Sequence, residues 1–439
     1  MALNETLRHD YGPARSLDYF VECKKRLDEI QQAIDDSPGM DSATIADRMR
    51  SLGALGSRIS LIERSHLGEF SWPFSEAIRQ IAECLFLEQQ LDGTQSPPIV
   101  HVIAEGMHYQ IVGDVLPSVG DRRIVIVAFP RQLKHHVLLH SIFGHELGHT
   151  ALYSTGPGRI ITTQVMPALS GQGPLQDSAQ ATAWLKRDDA PPQIRAMLLR
   201  QGEYIFPTGD LQNWCIEIIC DLFGLMLFGP AFAAAHRAIL GTLCDDPWEF
   251  DLSRSTHPPY SIRRKILTAA IKELGWHRPV TTPQDGCVHE AELALLDYAA
   301  ETTDGVTHDR DEAWTSLLYE GRLATVLERL SRIFALHQGT AYSPPERAVV
   351  IELLNRLTLC RPPILSSIED DGTPNNRIVP TCHCLYAGWS FWFGRTALRQ
   401  AMLKSSPRLP ELTFLQVNQL CDFAMRQQCA INAAQRGNK

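Results

Sequence analysis

The chain has 439 residues, 44% hydrophobic and 21% charged, enough to bury more than one core and too apolar for a disordered protein. Its formal net charge of −9 argues against a general nucleic-acid-binding surface, because phosphate contacts need clustered lysine and arginine; Arg263-Arg264-Lys265 is only a small basic cluster. The 11 cysteines follow no disulfide-framework spacing, which suits a reducing compartment and predicts a soluble, cytoplasmic protein.

Met1 to Ser16 carries charge and lacks the apolar centre of a signal peptide. From about Ser16 to Leu91 the pattern is helical: Leu17, Phe20, Val21, Cys23 and Leu27 recur at helical intervals, as do Ile78, Ile81 and Leu85. Ser37-Pro38-Gly39 breaks the first segment, and Asp41 or Ser42 can cap the next. The polar run Asp92 to Pro98 reads as a linker.

Two short β-branched runs follow, Ile99 to Ile103 and Ile124 to Phe129, and both suit strands. A helix is expected from about Lys134 to Tyr153, carrying His145-Glu146-Leu147-Gly148-His149 and closed by Thr155-Gly156-Pro157-Gly158. Residues 155 to about 210 read as loops and short helices, and a second strong helix runs from about Leu211 to Phe228, ending at Gly229-Pro230. Leu222 to Ala235 is the most apolar stretch but too short to cross a bilayer, so no membrane span is expected. Beyond the proline-rich Thr256 to Tyr260, a helix from Ser261 to Leu274 takes Ser261 as its N-cap. From about Val288 onward the patterns are helical, as in Ala313 to Phe334 and Glu346 to Leu359, with no fixed-period repeat. Cys382-His383-Cys384 lacks the second pair a zinc site needs and reads as a helix start. Trp389, Phe391, Trp392 and Phe393 read as core packing.

The chemistry lies in the 145–149 segment. Residues four apart on an α-helix stand about 40° apart around its axis, so His145 and His149 project from one face. Two imidazoles so placed can take two corners of a zinc tetrahedron. Glu146, turned about 100° from His145, is poorly aimed as a ligand but can reach a water on an open corner, where a general base acts. The alternative is an amphipathic helix with two solvated histidines. Gly144 and Gly148 each cost a helix interior about 1 kcal/mol relative to alanine and point to close backbone packing beside this helix. His140, five residues before His145, faces another part of the helix.

A hydrolytic zinc needs a third protein ligand and a vacancy for water. Glu217 stands out, because it lies in an apolar helix where a carboxylate is costly unless paired or coordinated. Asp221, one turn later on the same face, can accept the spare ring N–H of a ligating histidine. Pairing of these acids with buried arginines is the alternative.

The HELGH segment at 145–149, together with the ExxxD segment at 217–221, resembles the gluzincin class of zinc peptidases. The interval between them, and the later Ser255-Thr256-His257-Pro258 followed by Arg263, is similar to the HtpX and CAAX-prenyl-endopeptidase group, over roughly residues 120–270. The resemblance implies one Zn2+ per chain held by His145, His149 and Glu217, Glu146 as general base, and a His-Pro motif with its arginine near the substrate. His257 is then expected to stabilise the oxyanion, with Tyr260 on the same proline-stiffened turn as the other candidate. A surface turn with a capping role is the alternative for both. Arg263 is expected either to bind substrate or to brace Asp221.

The expected fold is α+β: a zincin-like catalytic core with a small β-sheet, flanked by mostly helical regions, divided as 1–95, 96–285 and 286–439. The strand at 124–129 is expected to offer a free edge beside His145 to an extended peptide. The expected function is zinc-dependent endopeptidase action on a polypeptide substrate. The alternative is a catalytically idle or gated protein of the same fold, using its helical flanks, 286–439 above all, to bind a protein partner.

Overall fold

The computed structural model describes residues 16–36, 39, 41–66, 72–86, 88–89, 95–96, 98–104, 106, 108–115, 123–170, 199–200, 203–204, 208–243, 257–258, 260–300, 321–335, 340–368, 374–377, 379–403 and 409–437. The charged start of the chain, the break at Ser37-Pro38, the Asp92-Gly93-Thr94 part of the linker, most of the loop region before 210, Ser255-Thr256 and the beginning of the helix expected at Ala313 lie outside them. The described residues are mostly helical with one small three-stranded sheet, an α+β composition. They fall into two compact units, Met1–His135 and His136–Lys439. No helix among them is long and apolar enough to cross a membrane.

The first unit holds helices α1 (Ser16–Asp35), α2 (Ser42–His66) and α3 (Trp72–Leu85), followed by strands β1 (Ile99–Ala104), β2 (Gln110–Val115) and β3 (Ile124–Phe129). Phe74, Ile78, Ala82 and Leu85 form a buried stripe along α3, the spacing by which a helix covers a sheet. The sheet order is β1-β3-β2, with β1 parallel and β2 antiparallel to β3. Both edges of β3 are therefore hydrogen-bonded, and the free edge expected at 124–129 does not exist. The strand's own sequence explains this: Val125 to Phe129 is apolar without alternation and buried throughout, as a central strand covered on both faces must be.

The second unit is mostly helical, with two short antiparallel strand pairs, Leu199–Arg200 with Glu203–Tyr204 and Leu365–Ile368 with Pro374–Arg377. The latter interrupts the region from Val288 onward, where only helices are expected from the sequence. Helix α4 (Phe143–Leu152) carries the HELGH residues, and α5 (Thr155–Ile160) continues through a π-helical turn (Ile161–Val165) into α6 (Met166–Ser170). Next come α7 (Thr208–Phe228), α8 (Pro230–Leu243), α9 (Tyr260–Glu273) and α10 (Cys287–Ala300). The chain ends with α11 (Leu323–Ala335), α12 (Arg347–Thr358), α13 (Thr381–Leu403) and α14 (Phe414–Gly437).

Three local expectations shift. The HELGH helix starts at Phe143 rather than near Lys134, after a 3-10 turn at Leu139–Ile142. The cause is tertiary: the Leu138 N–H donates to Asn418 Oδ1 and the Leu138 carbonyl accepts from Trp389 Nε1, so neither group is free for a helical ladder. Thr155-Gly156-Pro157-Gly158 opens α5 instead of closing α4, since proline is tolerated in a first helical turn. Ser261 lies inside α9, fully buried, rather than capping it.

Residues 286–439 pack against the helix that carries the ExxxD segment and against the turn that leads into the HELGH helix. Phe334 of α11 meets Phe223 of α7 with ring centroids 5.0 Å apart. The Tyr342 N–H donates to the Met226 carbonyl at 2.7 Å. Arg264 of α9 donates to the carbonyls of Ala233 and Ala299, tying α9 to the ends of α8 and α10. Trp389 and Phe391 are buried, and Trp392 stacks under the Arg395 guanidinium. Cys382-His383-Cys384 is the start of α13: His383 bonds the Ser343 carbonyl, while Cys384 turns inward to Cys421.

Candidate metal centre

Helix α7 is apolar on every side, with Trp214, Ile218, Ile219, Leu222, Phe223 and Leu225 all buried. A helix of this kind belongs in the centre of a domain, and α4 lies directly on it. The contact is backbone to backbone. A Cβ on Gly144 would stand 2.6 Å from the Gly224 Cα, and one on Gly148 would stand 2.7 Å from the Cys220 Cα. The two glycines thus let His145 and His149 come down onto Glu217 and Asp221.

The four side chains converge. His145 Nε2 lies 3.2 Å from Glu217 Oε2, and His149 Nε2 lies 3.4 Å from Glu217 Oε1. The two imidazole Nε2 atoms are 3.2 Å apart. These separations match the edge of a tetrahedron around a cation with metal–ligand distances of 2.0–2.1 Å, which is about 3.3 Å. Glu217 Oε2 is buried beside two imidazole nitrogens, His145 Nε2 at 3.2 Å and His257 Nε2 at 3.3 Å, and a cation there would offset the cost of burying its charge. Two imidazoles and a carboxylate are a donor set that borderline metals accept. His145, His149 and Glu217 can therefore hold a metal ion.

Asp221 lies behind this group. Its Oδ1 accepts from His145 Nδ1 at 2.8 Å, and Arg263 clamps both carboxylate oxygens, Nε to Oδ2 and Nη2 to Oδ1, each at 2.7 Å. The bond to Nδ1 fixes the His145 tautomer so that the Nε2 lone pair faces the other ligands. Of the two roles open to Arg263, its geometry is that of a brace for Asp221.

The charges are strongly coupled. Burial works against charge on Asp221, but the Arg263 guanidinium holds its carboxyl well below the usual range. Burial likewise disfavours a charged His145, yet the carboxylates of Asp221 and Glu217 outweigh it and lift its pKa to about 10. Burial and the neighbouring His145 push His149 down to about 4. Without a metal, then, a protonated His145 bridges the two carboxylates, Nδ1 toward Asp221 and Nε2 toward Glu217.

The remaining candidates divide. His257 Nε2 lies 3.3 Å from Glu217 Oε2, with its side chain 57% exposed. It falls outside the group of mutually close ligand atoms. Burial lowers its pKa, so it stands there as a neutral N–H donor. Tyr260, the first residue of α9, stacks on His236, with ring centroids 5.9 Å apart. Its hydroxyl lies over Gly241, 3.1 Å from where a Cβ would be. Glu146 is buried in the first turn of α4. His149 keeps 24% of its side chain exposed, so the group opens to solvent on the side of His149 and His257.

No family model, curated protein or solved structure matches the chain. The geometry stands on its own residues.

One contributor was invisible in the sequence. His236 of α8 is completely buried, with Nε2 3.5 Å from Asp221 Oδ1. In the run Ala233-Ala234-Ala235-His236 it looks like a core histidine, and no spacing rule ties it to residue 221. Only the fold brings them together.

Proposed function

We propose that this protein is a zinc-dependent endopeptidase of gluzincin type, resembling the HtpX and CAAX-prenyl-endopeptidase group. The observation that supports it best is the tetrahedral-edge spacing of His145 Nε2, His149 Nε2 and the Glu217 carboxylate, 3.2 to 3.4 Å, with Glu146 next in sequence to the first ligand. Zinc bound there supplies Lewis acidity, activating a water and polarising a carbonyl.

The chain's own residues do the rest. Glu146 takes the proton of the attacking water and returns it to the leaving nitrogen, so one carboxylate serves as base and then acid. His257, neutral and solvent-facing, donates its ring N–H to the oxyanion formed at the scissile carbonyl. It is favoured over Tyr260, whose hydroxyl lies over Gly241. Asp221 and Arg263 keep His145 in the tautomer that the metal requires.

Metal analysis of the purified chain, joined to a proteome-wide search for new peptide termini, tests the proposal. One zinc per chain and termini that depend on the wild-type protein are expected. A chain that generates no such termini would favour the interaction-protein reading, and a chain that binds no metal would end the peptidase reading outright.

A further inference from the structure

We propose that His236 is a positioning residue for the metal centre, acting on His145 through Asp221. The inference rests on the metal-centre reading above and adds a contact that no motif predicts.

His236 is fully buried on α8, and neither of its ring nitrogens has a hydrogen-bond partner. Leaving a buried polar group unsatisfied costs about 1–3 kcal/mol, so a leucine or phenylalanine would be the more stable choice on packing grounds alone. The ring is held between Phe232 and Tyr260, with centroids 5.8 and 5.9 Å away. Its Nε2 thereby lies 3.5 Å from Asp221 Oδ1. That oxygen is the one that accepts from His145 Nδ1 and from Arg263 Nη2.

Burial lowers the His236 pKa to about 4, so the imidazole is neutral and presents an N–H dipole rather than a charge. At 3.5 Å this is too long for a strong hydrogen bond, but in a water-free interior a dipole aimed at a carboxylate still acts on it. Arg263 grips Asp221 from α9, and His236 faces the same carboxylate from α8. Together they limit the motion of Oδ1, and Oδ1 in turn orients the His145 ring. Tyr260 then has a task of its own, since its ring is one wall of the slot that holds His236.

Cobalt(II) titration tests this, because its visible absorption reports ligand geometry without any turnover. His236→Phe keeps an aromatic ring but removes both nitrogens, and His236→Gln restores an N–H donor. His236→Leu replaces His236→Phe if the latter does not fold. The expected result is cobalt affinity about tenfold lower in His236→Phe, the lower end of the range for groups behind a metal ligand. An altered cobalt spectrum should accompany it, with recovery in His236→Gln. The thermal midpoint of metal-free His236→Phe should be no lower than that of wild type, because the unsatisfied polar atoms are gone. Unchanged cobalt affinity would overturn the proposal. So would losses of affinity that track losses of metal-free stability in both variants, which is the signature of packing alone. Wild-type protein that takes up no cobalt would instead remove the metal-centre reading, and this inference with it.

Discussion

Gly144 meets Gly224 so closely that a Cβ on the first would stand 2.6 Å from the Cα of the second. A methyl group there must part α4 from α7, and those helices carry His145 and Glu217. Gly144→Ala is therefore expected to cost about 1–3 kcal/mol, as overpacking does, and to weaken metal uptake at the same time. Thermal melts with and without added zinc measure both effects. A variant with unchanged midpoint and unchanged zinc content would show that the crossing has slack.

Glu146 and Glu217 have the same side chain and different tasks. Glu146→Gln preserves shape and should retain one zinc per chain while losing about 10²–10⁴-fold in hydrolysis, the usual worth of general-base catalysis. Glu217→Ala should lose the metal itself and, with it, whatever folding energy the metal contributes. Zinc content and peptide cleavage measured on both variants separate the two roles. Equal zinc loss in both would place Glu146 among the ligands.

The Asp221–Arg263 pair is buried and bidentate. Breaking such a pair by removing one partner leaves an uncompensated charge and costs about 3–5 kcal/mol. Arg263→Met should show that loss in urea denaturation of the metal-free protein. Asp221→Leu combined with Arg263→Met should recover much of the stability but bind zinc about 10–100-fold more weakly than wild type, since His145 would then lack its orienting carboxylate. A double variant with wild-type zinc affinity would show that Asp221 does not orient the ligand.

The HELGH helix was legible because two histidines four apart need only helical geometry to share a face. Glu217 and Asp221 were legible because carboxylates in an apolar run demand a partner. Where α4 begins was not legible, since Leu138 is anchored by Asn418, a residue 280 positions away. The position of β3 in its sheet was readable in principle: its lack of alternation marks a strand covered on both faces, but strand order is not a local property. Gly144 and Gly148 announced a close approach without naming Gly224 and Cys220 as its other side.

Residues 286–439 supply part of the packing around the metal helices, through Phe334 on Phe223, Tyr342 on Met226 and Asn418 on Leu138. A chain cut after residue 285 exposes these surfaces. It is expected to be insoluble or molten and to bind no zinc at stoichiometric level, by circular dichroism and metal analysis. Recovery of a folded, zinc-bound fragment would show that the C-terminal helices form a domain of their own.

Because Arg263 closes the carboxylate that aims His145, the centre draws on segments 118 positions apart along the chain. During synthesis the two histidines leave the ribosome long before α9 exists. Until Arg263 arrives, the nascent chain carries the pair of imidazoles and the two carboxylates without the guanidinium that clamps Asp221. The orienting clamp is thus a property of the finished chain, and a ribosome stalled between Asp221 and Arg263 would display both histidines and both carboxylates with nothing to hold Asp221 against His145.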